Sequence, residues 1–134
     1  MSDAIVLVGL SGSGKSTVAA AVAAQLDRPL IDLDAVIEGR EGAHPAEIIK
    51  QRGEAEFRRL EAAAVERAAA VDAAVIATGG GAVEDPINRW ALWNAGVVAW
   101  LVAPDVVLLG RLDAHDEERP MLAGNPLARM ARLR

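Results

Sequence analysis

Five apolar residues in succession, Ala4-Ile5-Val6-Leu7-Val8, come almost at once and are stopped by Gly9. A continuous β-branched run without polar alternation is how a strand covered on both faces of a parallel sheet reads, and it predicts strand one. From Lys15 to Leu26 the alanines, Val18, Val22 and Leu26 recur at helical spacing until Pro29 forbids continuation, which predicts helix one. Leu30 to Leu33 reads as a short second strand with Asp32 and Asp34 at its carboxyl end, followed by a short helix through Ile37. Pro45 suits the first turn of a helix that runs to Arg52, where Gly53 breaks it. Glu54 to Val71, rich in alanine, glutamate and arginine, predicts the longest helix. Val75 to Ala77 is strand three, with Thr78-Gly79-Gly80-Gly81 at its tip. Pro86 to Asn94 reads as a helix closed by Gly96, Val97 to Val102 as strand four, and Pro104 to Leu112 as a helix. Asp113 to Glu118 is charged and aperiodic, the pattern of a mobile surface loop, and Pro126 to Arg134 can start a last helix.

Short apolar strands alternating with helices predict a three-layer α/β/α domain around a central parallel sheet with right-handed crossovers. The 134 residues suit a single domain, 1–134. In such sheets ligands sit at the carboxyl ends of the strands, so Gly9 to Ser16, Asp32 with Asp34, and Thr78 to Gly81 are expected to converge on one site.

Composition narrows the function classes. The chain is 52% hydrophobic and 25% charged, with no apolar run long enough to cross a bilayer, so no membrane partner is expected. It has no cysteine, which removes disulfides and thiolate metal sites and leaves the cytoplasm as the expected compartment. A net charge of −5 and only four aromatic residues, Phe57, Trp90, Trp93 and Trp100, argue against nucleic-acid binding. Arg129, Arg132 and Arg134 read as a solvated face or a small-anion contact. His44 and His115 have no partners at metal-ligand spacing and are expected at the surface, while Trp90 and Trp93 are expected to pack.

The chemistry is concentrated in Gly9-Leu10-Ser11-Gly12-Ser13-Gly14-Lys15-Ser16, a full match to the G-x-x-x-x-G-K-[ST] pattern between a strand and a helix. Backbone N–H groups of Ser11, Gly12, Ser13 and Gly14, together with the helix amino terminus, are suited to the phosphates of ATP. Lys15 is expected to reach the outer phosphates, Ser16 to hold Mg²⁺ through its hydroxyl, and Thr17 to lie beside the inner phosphates. Asp32 and Asp34 invite metal or acid–base work but by themselves also suit turns and caps. Arg58 and Arg59 lie on the long helix with Glu54, Glu56 and Glu61 as available partners, the ordinary arrangement of a solvated helical face. Three glycines in a row at Gly79 to Gly81 favour close approach of backbone to a ligand. Arg119, which closes the charged loop with Pro120, Met121 and Leu122, is placed to bring charge to a transferring phosphoryl group.

Together these residues resemble the shikimate kinase family, from Ile5 to about Asn125. The resemblance rests on the P-loop, Asp32-x-Asp34-x-x-Ile37-Glu38, Gly53-Glu54-x-x-Phe57-Arg58-x-x-Glu61, Gly79-Gly80-Gly81-Ala82-Val83 and Arg119-Pro120-Met121-Leu122. It implies a nucleoside-monophosphate-kinase-like fold and ATP-dependent phosphorylation of the 3-hydroxyl of shikimate, on the route to chorismate and the aromatic amino acids. Lys15, Asp34 and Arg119 would be catalytic, and Ser16 and Asp32 would hold Mg²⁺ and its waters. Asp34, Arg58 and the glycines Gly79, Gly80 and Gly81 would bind shikimate, with Arg58 and the backbone of Gly80 and Gly81 on its carboxylate. Arg111 would pack near the adenine, and Arg119 would ride on a lid at 113–122. Family members are usually longer, so the final strand and helix and a second carboxylate-binding arginine are expected to be missing. The alternatives are a kinase of another small hydroxylated acid such as gluconate, and a nucleotide-binding module that no longer turns over. A monomer is expected, with a dimer as the alternative.

Overall fold

The computed structural model describes residues 3–9 and 14–102. Four parallel strands, β1 (Ala4–Val8), β2 (Leu30–Asp32), β3 (Val75–Ala77) and β4 (Gly96–Trp100), form one sheet in the order β2-β3-β1-β4. The helices between them are α1 (Lys15–Leu26), α2 (Leu33–Glu41), α3 (Pro45–Arg52), α4 (Glu54–Ala69) and α5 (Pro86–Ala95), with a 3₁₀ turn at Ala82–Glu84. No described helix is long and apolar enough to cross a membrane.

The uninterrupted apolar runs of β1 and β3 are explained by layers on both sides of the sheet. Ala4, Val6, Val8 and Ile76 face one way, into a core with Leu33, Ile37, Ile48, Phe57, Ala64, Val65, Ala68, Leu92 and Ala95 from α2 to α5. Leu7, Val75 and Ala77 face the other way and meet Ala19 and Ala23 of α1. Small side chains at those α1 positions let the helix lie close to the strands, and Ala19 is fully buried.

Caps set the helix boundaries. Asp32 accepts from the N–H groups of Asp34 and Ala35 at the start of α2, and Asp85 accepts from Ile87 N–H at the start of α5. Pro45 and Pro86 occupy the first turns of α3 and α5. His44, expected at the surface, is half-buried as the N-cap of α3, with Nδ1 accepting from Ala46 N–H at 3.2 Å.

Several boundaries differ from expectation. The second strand ends at Asp32 rather than Leu33, because Asp32 caps a helix that starts immediately and runs to Glu41, past Ile37. Asp34 therefore sits in the first turn of α2, not on a strand end. The longest helix ends at Ala69, before the expected Val71, and α5 continues to Ala95. Strand β4 begins at Gly96 and ends at Trp100, since Gly96 pairs with Ala4, and an added Cβ there would collide with the Ala4 carbonyl oxygen. Trp90 and Trp93, expected to pack, are 71% and 49% exposed because the core face of α5 is supplied by Asn88, Leu92 and Ala95. The expected helices at 104–112 and 126–134 and the lid at 113–122 lie outside the described residues, as do His115, Arg129, Arg132 and Arg134.

Burial predicts unequal sensitivity along α5. Leu92→Ala, at a fully buried site, is expected to lower unfolding free energy by about 2–5 kcal/mol in urea titration. Ile87→Ala on the exposed side should change it by no more than about 0.5 kcal/mol. Equal effects would contradict the packing of this helix.

Candidate active site

Parallel pairing puts the carboxyl ends of β1, β2 and β3 along one edge of the sheet, where Gly9, Asp32 and Thr78 follow or end the strands. Gly9 and Gly14 take positive φ values of 150° and 94°, which side-chain-bearing residues rarely adopt, as the chain leaves β1 and enters α1. Lys15 is buried, and its ammonium donates to the Gly9 carbonyl oxygen at 2.6 Å. The cation thus ties the start of α1 back to the residue that follows β1. Ser11, Gly12 and Ser13 lie outside the described residues.

Ser16 and Thr17 are exposed in the first turn of α1. The Ser16 hydroxyl donates to Asp32 Oδ2 at 2.8 Å, while Asp32 Oδ1 accepts from Asp34 N–H at 3.1 Å. One carboxylate therefore joins the loop helix to the start of α2 and fixes the backbone that carries Asp34. Hard oxygen donors side by side at a helix amino terminus suit Mg²⁺, which takes few protein ligands and completes its shell with water and phosphate oxygens. Among the described residues, no group of three or more His, Cys, Asp or Glu side chains could hold a metal by itself.

The third cluster starts at Thr78, whose N–H and hydroxyl both donate to the Leu7 carbonyl oxygen, at 3.2 and 3.0 Å. That pair of hydrogen bonds to β1 anchors the glycines that follow. Gly79 is buried against two carboxylates: a Cβ added there would lie 3.0 Å from Asp34 Oδ1 and 3.2 Å from Glu61 Oε2. Its lack of a side chain is what lets these groups approach the glycine segment. Gly80 and Gly81 follow, and the 3₁₀ turn at Ala82–Glu84 closes the segment.

Helix α4 supplies the only buried carboxylate among the described residues, Glu61, 2% exposed. Its Oε1 accepts from Arg58 Nη1 at 2.6 Å. The guanidinium also lies over the Phe57 ring, 5.5 Å from its centre, and within 3.7 Å of Glu54 and Glu84. Arg59 points elsewhere, exposed and paired with Glu56 at 2.7 Å. Of the two adjacent arginines, only Arg58 belongs to this cluster.

Asp34, Gly79, Arg58 and Glu61 thus come together, joined through Asp32 to Ser16 and the loop helix. Two neighbours were not singled out as functional from the sequence. Glu61 figured there as a partner for the arginines. Its burial had a signal nonetheless, since it falls at helical spacing among Phe57, Ala64, Val65 and Ala68 on the apolar stripe of α4. Glu84 had none. Arg111 and Arg119 lie outside the described residues.

A family model described as shikimate kinase matches residues 11–134. A shikimate kinase from Symbiobacterium thermophilum is 47% identical over 131 residues, covering 96% of this chain and 75% of the relative. The solved structure of a shikimate kinase from Acinetobacter baumannii in complex with shikimate superposes with a TM-score of 0.90 at 36% identity, covering 99% of this chain and 74% of that one. A gluconokinase from Sinorhizobium meliloti, 22% identical with a TM-score of 0.60, shares the fold alone. The chain spans between 63% and 75% of the length of such curated shikimate kinases.

Burial raises the Glu61 carboxyl above the ordinary carboxylate range; the charge and hydrogen bond of Arg58 oppose this, and Asp34 and Glu84 reinforce it. The folded state then holds a proton that the unfolded state has released over the window between the two pKa values, so stability falls as pH rises through that window. The unfolding free energy of Glu61→Gln minus that of the wild type should therefore increase with pH through it, measured by urea titration at stepped pH. A flat difference would show that Glu61 titrates normally.

Proposed function

The chain belongs to the shikimate kinase family, and from that premise we propose that it transfers the γ-phosphoryl group of ATP to the 3-hydroxyl of shikimate. The observation that carries this reading is that Asp34 and Glu61 lie against Gly79, with Arg58 bonded to Glu61 and Asp34 linked through Asp32 to Ser16 and the P-loop helix. A hydroxylated acid needs such a pair: a base or orienter for its hydroxyl, and a cation for its carboxylate.

In this mechanism Lys15 leaves the Gly9 carbonyl for the β- and γ-phosphates, and the N–H groups of Ser11 to Gly14 cradle the phosphate chain, with Thr17 beside the inner phosphates. Ser16 and Asp32 would hold Mg²⁺ and its waters, whose charge neutralises the phosphate oxygens. Arg58 and the backbone of Gly80 and Gly81 hold the shikimate carboxylate, Gly79 lines the pocket, and Asp34 accepts the proton of the attacking hydroxyl. Arg119, arriving with the lid at 113–122, stabilises the transferring group, and Arg111 packs near the adenine. Positioning and charge neutralisation supply most of the rate, as phosphoryl transfer generally requires. The same reading makes this a cytoplasmic, monomeric enzyme with neither nucleic-acid nor membrane partners, in keeping with the absence of cysteine and the net charge of −5.

The test is ADP release with ATP and Mg²⁺, with and without shikimate, beside gluconate. Shikimate-dependent release is expected, and it should fall about 10²- to 10⁴-fold in Asp34→Asn while the variant keeps its folded circular dichroism. Arg58→Ala should chiefly raise the KM for shikimate, because it removes a charge-assisted bond to the substrate. ATP binding with no shikimate-dependent release would identify a nucleotide-binding module instead, and release that depends on gluconate would reassign the substrate.

A further inference from the structure

The substrate-facing arginine lies among more negative charge than its fixation requires. Glu61 holds Arg58 Nη1 at hydrogen-bond distance, 2.6 Å, but Nη2 lies 3.7 Å from each of two further carboxylates, Glu54 and Glu84. At that separation an ion pair acts through Coulomb attraction rather than a formed hydrogen bond. The two differ in setting: the Glu84 side chain is 26% exposed and the Glu54 side chain 54%, so water screens Glu54 more strongly.

Glu84 is held in place by its backbone. Its N–H donates to the Gly81 carbonyl at 3.1 Å, and its carbonyl accepts from Arg89 Nη1 at 3.3 Å. Arg89 also binds the Val83 carbonyl at 2.7 Å, and the buried Asn88 amide binds that of Ala82 at 3.0 Å. Helix α5 thus fixes the whole turn after the glycines, and Glu84 with it, beside the guanidinium. The charge of Glu84 is felt inside the cluster, where it adds to the forces raising the Glu61 carboxyl.

We propose that Glu84 sets substrate affinity: its carboxylate competes with that of the substrate for Arg58, weakening ground-state binding of the anionic substrate without taking part in phosphoryl transfer. The inference rests on the reading above that Arg58 receives the substrate carboxylate. A residue that only oriented Arg58 would stand as Glu61 does, at bonding distance. A carboxylate at 3.7 Å attracts the guanidinium yet yields Nη2 to an incoming anion that can bond it, and it then repels that anion in a partly buried site. The same repulsion acts on the product, which keeps the carboxylate, and so favours its release.

The test is steady-state kinetics of Glu84→Gln with shikimate varied at saturating ATP and Mg²⁺, beside Glu54→Gln. Glu84→Gln should lower the KM for shikimate about three- to tenfold, with kcat and the KM for ATP changed by less than about twofold. Glu54→Gln should lower it by less than about twofold because its charge is more exposed. In about 0.5 M salt the gap between Glu84→Gln and wild type should narrow. Glu84→Ala, which removes the same charge without conserving shape, must shift KM in the same direction. An unchanged KM in both Glu84 variants, or a raised one as expected of a positioning residue, would overturn the inference while leaving the kinase reading intact. A wild type with no shikimate-dependent turnover would remove both.

Discussion

Everything at the site depends on the register of three parallel strands. Because Leu7 lies opposite Ala77 and Ala77 opposite Asp32, the chain leaves β1, β2 and β3 at one level of the sheet. Backbone hydrogen bonds set that level, and the second donor from the Thr78 hydroxyl to the Leu7 carbonyl reinforces it just where the glycine segment departs. A shift of one residue would turn Val6 and Ile76 from one core into the other and reverse every side chain on the strand. The apolar burial on both faces therefore protects the geometry of the polar residues at the strand ends.

On that frame the polar groups form a chain of contacts rather than separate clusters. Lys15 ties the start of α1 to Gly9, Ser16 binds Asp32, Asp32 caps α2 and holds the backbone at Asp34, and the Asp34 carboxylate lies with Glu61 against Gly79. Glu61 then fixes Arg58. Apart from the exposed Ser16–Asp32 bond, the hydrogen-bonded links lie in partly or wholly buried settings, where an unsatisfied partner is costly, so the groups hold one another in place before any ligand arrives. Preorganisation of this kind is what phosphoryl transfer demands, since the protein contributes placement and charge more than covalent chemistry.

The balance of charge in the substrate half is less obvious. Glu61, Glu54 and Glu84 surround one guanidinium and Asp34 lies beside Glu61 at Gly79, so this part of the site is net acidic although it is read as receiving an acid. Only Glu61 is fully buried, and that burial first, with a smaller contribution from the charges of Asp34 and Glu84, raises its pKa. Such a site holds its ligand by directed bonds rather than by bulk attraction, which favours discrimination over tight binding.

Much of this was legible in the linear sequence, for identifiable reasons. Helix α1 and helix α3 start and stop where Lys15 and Leu26, and Pro45 and Arg52, predict, because prolines, glycines and backbone signals act locally. The P-loop, the aspartates and the triple glycine were recognisable since each needs particular residues at short spacing. Three things lay beyond the local residue pattern. Asp34 moved from a strand end to a helix because Asp32, bonded to Ser16 sixteen residues earlier, caps α2 at once. Residue pattern left Arg58 level with Arg59 and only the family resemblance preferred it; the physical distinction is which face of α4 each occupies, a difference of about 100° that adjacent positions in a sequence do not display. Glu84 met Arg58 only because α5 folds the turn after the glycines back against α4, a contact between segments that share no local pattern. Local chemistry thus determined the elements and the phosphate loop, while long-range packing decided which charged groups face one another.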